Sequence, residues 1–186
     1  MREIKQMLTG LNVTLLSLSN FPDIPEIKED GASYLENALK KARVVSEFTG
    51  EPALADDSGL EVEALKGAPG IHSSRYAGDS ADDKDNIRKL LKELEGLPPD
   101  KRVAAFHCEL VFYMPGGAYE TFHGRWSGYI HNCPLGNSGF GYDPVFSLPD
   151  RGVTVAQLSA EVKNEISHRA QAFAGFREWL QNFFCQ

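Results

Sequence analysis

From Val103 to Tyr113 the chain alternates with a period of two. Ala104, Phe106, Cys108, Leu110 and Phe112 fall on one face, and His107 and Glu109 fall on the other. That period belongs to a strand with one face against a core. Pro115-Gly116-Gly117 follows and turns the chain into a second strand at 119–130, which predicts an antiparallel hairpin. A chain committed to such a hairpin folds around a sheet, and its helices are placed on that sheet.

Helical spacing marks the flanking elements. Ser33 and Glu36 make an S-x-x-E capping box, followed by a stripe of Leu35, Ala38, Leu39, Ala42, Val45 and Phe48, so a helix is expected over 33–48. Ile87, Leu90, Leu91 and Leu94 mark another over 82–95, ended by Pro98-Pro99. A final helix opens at Ile166-Ser167 and turns Phe173, Phe176, Leu180 and Phe184 inward. Thr154 and Gln157 cap a shorter one. Residues 2–10 read as a helix without a cap, and 12–18 as a strand. Short strands are expected at 52–56 and 144–147. With helices and strands interleaved around a hairpin, the expected class is α/β with a mixed sheet.

Three clusters carry chemistry. The first is Ala55-Asp56-Asp57-Ser58-Gly59-Leu60, followed by Gly67-Ala68-Pro69-Gly70 and Ser74-Arg75-Tyr76. Two acids at the C-terminal end of an apolar run, entering a glycine-rich loop with an arginine, suit a divalent cation beside a phosphate chain. In open α/β sheets, ligands bind beyond such strand ends. The same residues also suit a capped turn. The second cluster, Gly136 to Pro144, is a glycine-rich loop in which Phe140 or Tyr142 could cover a flat ring, with Gly141 and Asp143 beside them. It reads equally as a tight strand connection. The third is Lys163, Ser167, His168 and Arg169, either anion-facing groups at a helix start or a serine cap with solvated neighbours.

Composition narrows the function. The chain has 186 residues, enough for one domain with a real core, and a net charge of -7, which argues against wrapping nucleic acid. No apolar run approaches the roughly 20 residues needed to cross a bilayer, so no membrane partner is expected. Cys108, Cys133 and Cys185 show no metal-ligand spacing and read as reduced, cytosolic thiols.

In this order and spacing the clusters resemble the inosine/xanthosine triphosphate pyrophosphatase family, through Ala-Asp-Asp-Ser-Gly-Leu, Gly-Ala-Pro-Gly, Ser-Arg-Tyr, Gly-Phe-Gly-Tyr-Asp-Pro and Ile-Ser-His-Arg. The resemblance runs from about Arg2 to the C-terminus. It implies a two-lobed fold on a long mixed sheet with a central cleft, and a homodimer in the cytoplasm. It also implies Mg2+-dependent attack of water on the α-phosphorus of a purine nucleoside triphosphate (ITP, dITP or XTP). Carried over, Asp57 is general base and metal ligand, Asp56 supports the metal, and Ser58 touches the substrate. Phe140, Gly141, Tyr142 and Asp143 line the base pocket, with Phe140 stacking. Lys163, His168 and Arg169 contact the nucleotide and favour a 6-oxo purine.

Three departures are visible. The family usually opens with a strand and a Thr/Ser-x-Asn-x-x-Lys phosphate loop, whereas this chain begins inside the first helix. The expectation is a truncated form that is weak or inactive, or a nucleotide-binding protein with little turnover. Lys28 and Glu29 stand where two acids are usual, which leaves Glu29 as the second metal ligand. His72 takes a tyrosine's place, with little expected consequence. A related pyrophosphatase acting on pyrimidine or modified nucleotides is the further alternative.

Overall fold

The computed structural model describes residues 13–184 together with Leu8 and Gly10. Apart from those two residues, the helix expected over 2–10 lies outside the described residues. The remaining elements are α1 (Tyr34–Thr49), β1 (Ala53–Val62), α2 (Asp83–Glu93), β2 (Val103–Tyr113), β3 (Tyr119–Ile130), β4 (Phe146–Leu148), β5 (Val153–Thr154), α3 (Ala160–Ile166) and α4 (His168–Phe184), with short 3-10 turns between them. The five strands form one sheet in the order β1-β2-β3-β4-β5. The fold is α/β, a five-stranded antiparallel sheet with flanking helices.

The hairpin is where the alternation places it. β2 and β3 have the expected bounds, and Met114 and Ala118 close the turn through a 2.8 Å backbone hydrogen bond. β4 pairs with β3 through Tyr129–Ser147 and Ile130–Phe146, and with β5 through Ser147–Thr154. The strand expected over 12–18 does not form. Asn20 Oδ1 accepts the Ser17 N–H at 2.9 Å, and this local bond bends Leu18–Asn20 into a 3-10 turn.

The chain divides into two compact units. In the first (Met1–Asp57, Cys108–Gly124, Arg169–Gln186), the strands carry helices on both faces. Ala38 and Ala42 of α1 pack on Val111 and Tyr113, with Leu39 and Ala55 beside them. On the other face, Ala172, Phe173, Phe176 and Leu180 of α4 pack on Cys108 and Leu110, joined by Leu54 and Phe112. The Phe184 side chain lies outside those described. α1 begins at Ser33, whose Oγ accepts the Glu36 N–H at 3.2 Å, while the Glu36 carboxylate accepts the Ala32 N–H at 2.7 Å. It ends at Gly50, whose φ of 73° is a left-handed cap that glycine adopts without a Cβ clash.

The buried face of α1 differs from the expected stripe. Leu35 and Phe48 are exposed, while Asn37 and Ser46 are buried along with Tyr34, Ala38 and Ala42. Polar side chains share the inward face: Asn37 is buried and Lys41 is half-buried.

The second unit (Ser58–His107, Arg125–His168) has its own core of Leu60, Val62, Ile87, Leu90, Phe106, Val145 and Phe146. Its helix α2 starts at the Asp82 cap, whose Oδ1 accepts the Asp85 N–H at 2.8 Å. The far end is closed by the buried Arg102 guanidinium, which donates to Leu94 O at 2.7 Å and Leu97 O at 3.1 Å. Leu94 O also accepts the Leu97 N–H at 3.2 Å, so the guanidinium adds a charged donor at the carbonyls that follow the helix. Replacing Arg102 with Met is expected to lower the unfolding free energy by about 2–4 kcal/mol, since charge-assisted bonds to buried carbonyls are lost. Urea melts of the two proteins measure this directly.

Candidate active site

β1 is the element whose form decides the site. It was expected to end at residue 56 and hand both acids to a loop. Instead it continues to Val62, so Asp56, Asp57, Ser58 and Gly59 are all strand. The turn reading falls with it. Leu60 and Val62 are fully buried and hold the extension in place, and the Leu60 N–H finds the Ser73 Oγ at 2.9 Å. The glycine-rich segment that follows folds back on the strand: Val62 N–H donates to Ala68 O at 3.1 Å.

Successive strand residues point to opposite faces. Ala55 packs with α1, and Leu54 packs with α4. Asp57 therefore shares the α1 side, and Asp56 shares the α4 side. Their partners agree. Asp57 is buried and accepts from Lys41 Nζ at 2.9 Å and Asn37 Nδ2 at 3.3 Å. Asp56 accepts from Arg169 through Nε at 3.0 Å and Nη2 at 2.7 Å. The two acids thus have separate partners, Lys41 and Asn37 for Asp57 and Arg169 for Asp56. The same pair explains how a basic residue sits in the first turn of α4 against the helix dipole: the Asp56 carboxylate offsets it.

The second carboxylate at Asp57 comes from Glu29. Lys41 Nζ lies 3.1 Å from Glu29 Oε1 as well as 2.9 Å from Asp57 Oδ1. The 29–31 segment is tied to α1 in turn. Gly31 N–H donates to Asn37 Oδ1 at 2.8 Å, and Lys40 pairs with Asp30 at 2.5 Å. Burial pushes the Asp57 carboxyl above its ordinary value, against the opposing pull of Lys41 and Asn37. For Lys41, burial pulls down, but the bonds and charges of Asp57 and Glu29 outweigh it and hold the ammonium above the usual lysine value. The result is a carboxylate readier than most to take a proton, beside a lysine that stays charged.

Asn37 and Lys41 are the residues that sequence reasoning missed. Their signal is present in the sequence, since they stand four apart on one helix and so share a face, but apolar periodicity alone does not register it.

The second cluster assembles within the other unit. Lys163 Nζ meets Asp143 Oδ2 at 2.5 Å, with both side chains nearly buried, and lies 4.2 Å from the Phe140 ring centroid. Asp143 Oδ2 also accepts the Phe140 N–H at 3.0 Å. Gly139, at φ 82°, passes so close that a Cβ there would sit 2.0 Å from that same oxygen, so only glycine fits. Phe140 is 52% exposed, whereas Tyr142 is 4% exposed, belongs to the core and donates its hydroxyl to Ser73 O at 2.9 Å. Of the two aromatics, Phe140 is therefore the exposed one. Asp143 acts inward, as the partner of Lys163. Gly141 donates its N–H to Asp83 at 2.7 Å.

His168 is buried, stacked on Phe106 at 4.8 Å and 14° and near Trp126 at 6.5 Å. It belongs to this unit. Arg169, its neighbour in the chain, belongs to the Asp56 pair instead. Ser58 follows Asp57 in β1 and is half-buried. His72 lies in the 3-10 turn Gly70–Arg75.

Among the described residues, no group of three or more His, Cys, Asp or Glu stands ready to hold a metal ion. The oxygen pair at Glu29 and Asp57 nonetheless suits a hard divalent cation. Both carboxylates already turn toward a single positive atom, Lys41 Nζ. Two cavities of about 580 and 370 Å³ are lined by none of these residues.

Comparison with known proteins follows the same lines. The family model described as Ham1 family matches residues 1–179. A dITP/XTP pyrophosphatase from Geobacter sulfurreducens is 52% identical over 97% of this chain and 90% of its own length. One from Geobacillus kaustophilus is 48% identical over 95% and 87%. A HAM1 protein from Coxiella burnetii superimposes with a TM-score of 0.90 at 42% identity, covering 97% of this chain and 92% of that one.

Proposed function

The chain belongs to the Ham1 family, and from that premise we propose that it hydrolyses deaminated purine nucleoside triphosphates (ITP, dITP and XTP) to the monophosphate and pyrophosphate. The near-full-length match to relatives named for dITP/XTP pyrophosphatase activity carries this reading. The enzyme is metal-dependent, and Mg2+ at Glu29 and Asp57 is our assignment. When bound, the cation acidifies water and neutralises triphosphate charge.

The residues then divide the work. Asp57 takes the proton from the water that attacks the α-phosphorus, a role suited to a carboxyl whose proton affinity burial has raised. Lys41 fixes the Asp57 and Glu29 carboxylates and adds a positive charge near the phosphates. Ser58, beside Asp57, contacts the substrate. Phe140 stacks on the purine, and the Lys163–Asp143 pair holds that loop in shape. Lys163, His168 and Arg169 are the donors we assign to a 6-oxo purine. An adenine 6-amino group would leave such donors unpaired, which is the basis of selection. The same reading takes the protein to be a cytoplasmic homodimer without nucleic-acid or membrane partners.

Pyrophosphate release should be measured with inosine, xanthosine and the four ordinary triphosphates, with and without Mg2+. Turnover is expected for the first two only, abolished by EDTA and restored by Mg2+. Equal rates on ATP, or turnover that survives chelation, would overturn the assignment. Binding without pyrophosphate release would make this a nucleotide-binding protein instead.

A further inference from the structure

We propose that Asp83 is a positioning residue for the purine-facing loop, holding Gly141, and through it Phe140, in the stacking pose; this rests on the base-binding role proposed above for Phe140. Asp83 lies 58 positions before Gly141 in the sequence, and its Oδ2 accepts the Gly141 N–H at 2.7 Å. A carboxylate receiving a backbone N–H at that distance makes a charge-assisted bond, roughly twice as strong as a neutral one.

The need for the clasp follows from the loop's backbone. Gly139 and Gly141 both have positive φ, at 82° and 57°. Glycine at such positions leaves the peptide free to leave them as easily as to adopt them. Besides Lys163, which lies over the Phe140 ring, three side chains constrain the segment. Asp143 holds the Phe140 N–H, Tyr142 is anchored by its hydroxyl on Ser73 O, and Asp83 holds the Gly141 N–H. Asp143 and Tyr142 are buried and come from the loop itself. Asp83 comes from a different element, the first residue of α2, and is exposed. Its position is set by the Asp82 cap and the buried Ile87 and Leu90 of the same helix. It therefore ties a two-glycine loop to a rigid body. Its charge also reaches the neighbouring Tyr142 hydroxyl, whose pKa is raised first by burial and then by Tyr76, Asp83 and Glu93.

Asp83 touches no reacting atom, so its loss should weaken binding of the base and leave the chemical step alone. In Asp83→Ala the KM for inosine triphosphate is expected to rise roughly five- to tenfold with kcat within twofold of the parent, as for loss of one charge-assisted bond. Asp83→Asn keeps an acceptor oxygen and should restore most of the KM. In a Phe140→Ala background, Asp83→Ala should add no further KM effect, because the ring it positions is gone. An unchanged KM in Asp83→Ala with active parent enzyme would overturn the clasp. So would equal KM defects in the Ala and Asn variants, or full additivity with Phe140→Ala. A parent enzyme with no turnover on inosine triphosphate would instead overturn the proposed function.

Discussion

Asp57→Asn is expected to lower kcat on inosine triphosphate by about a thousandfold or more while leaving the fold intact, because it removes a general base and a metal ligand at one stroke. The fold should survive for a reason visible in the pKa direction. Burial raises the Asp57 carboxyl above its unfolded-state value, so ionising it costs stability. That cost sets in as pH rises from the unfolded pKa through the folded one. An amide never incurs it, and the neighbouring Glu29 remains to partner Lys41. Melting temperature at neutral pH is therefore expected to stay within a few degrees of the parent. The same shift sets the acid limb of the rate profile. Activity requires ionised Asp57, so kcat/KM for the parent should fall as pH decreases through a carboxyl that burial holds above its ordinary value. Retained turnover in Asp57→Asn would remove this residue from the chemistry.

Lys163→Met is expected to be costly in a different way. The Lys163 and Asp143 side chains are both close to fully buried, 2.5 Å apart. Removing the ammonium leaves the Asp143 carboxylate without its cation, and breaking a buried pair from one side costs about 3–5 kcal/mol. The variant also takes away the charge over the Phe140 ring. Adding Asp143→Asn to Lys163→Met should recover most of the lost stability, since no buried charge is left stranded. It should not recover the KM for inosine triphosphate, which depends on Lys163 itself. A single variant within 1 kcal/mol of the parent by urea melts would contradict the burial argument, and recovery of both properties in the double variant would make Lys163 purely structural.

These expectations draw on features that differ in how legible they were. The β2–β3 hairpin could be read to the residue, because alternation and a Pro-Gly-Gly turn are local signals that tertiary packing only reinforced. The Ser33 cap was legible for the same reason. The run through Asp56-Asp57-Ser58-Gly59 was not. Each of those residues favours turns by propensity, and strand was imposed by buried Leu60 and Val62 and by Ser73, thirteen residues after Leu60. Once the strand is extended, the separation of Asp56 from Asp57 follows from pleating alone. α1 was placed correctly and its face was not, because the helix buries Asn37 and Ser46 and leaves Leu35 and Phe48 exposed. The short helix expected behind Thr154 and Gln157 is a 3-10 turn, Val155–Gln157, capped by those two residues, and α3 starts separately from the Ser159 cap. Pairs such as Asp83 with Gly141 have no local signature at all.

Hydrolysis of inosine triphosphate in oxygen-18 water tests the central claim most directly. Attack on the α-phosphorus puts the label in the nucleoside monophosphate and leaves the released pyrophosphate unlabelled. Label in pyrophosphate, or release of orthophosphate in its place, would contradict the account.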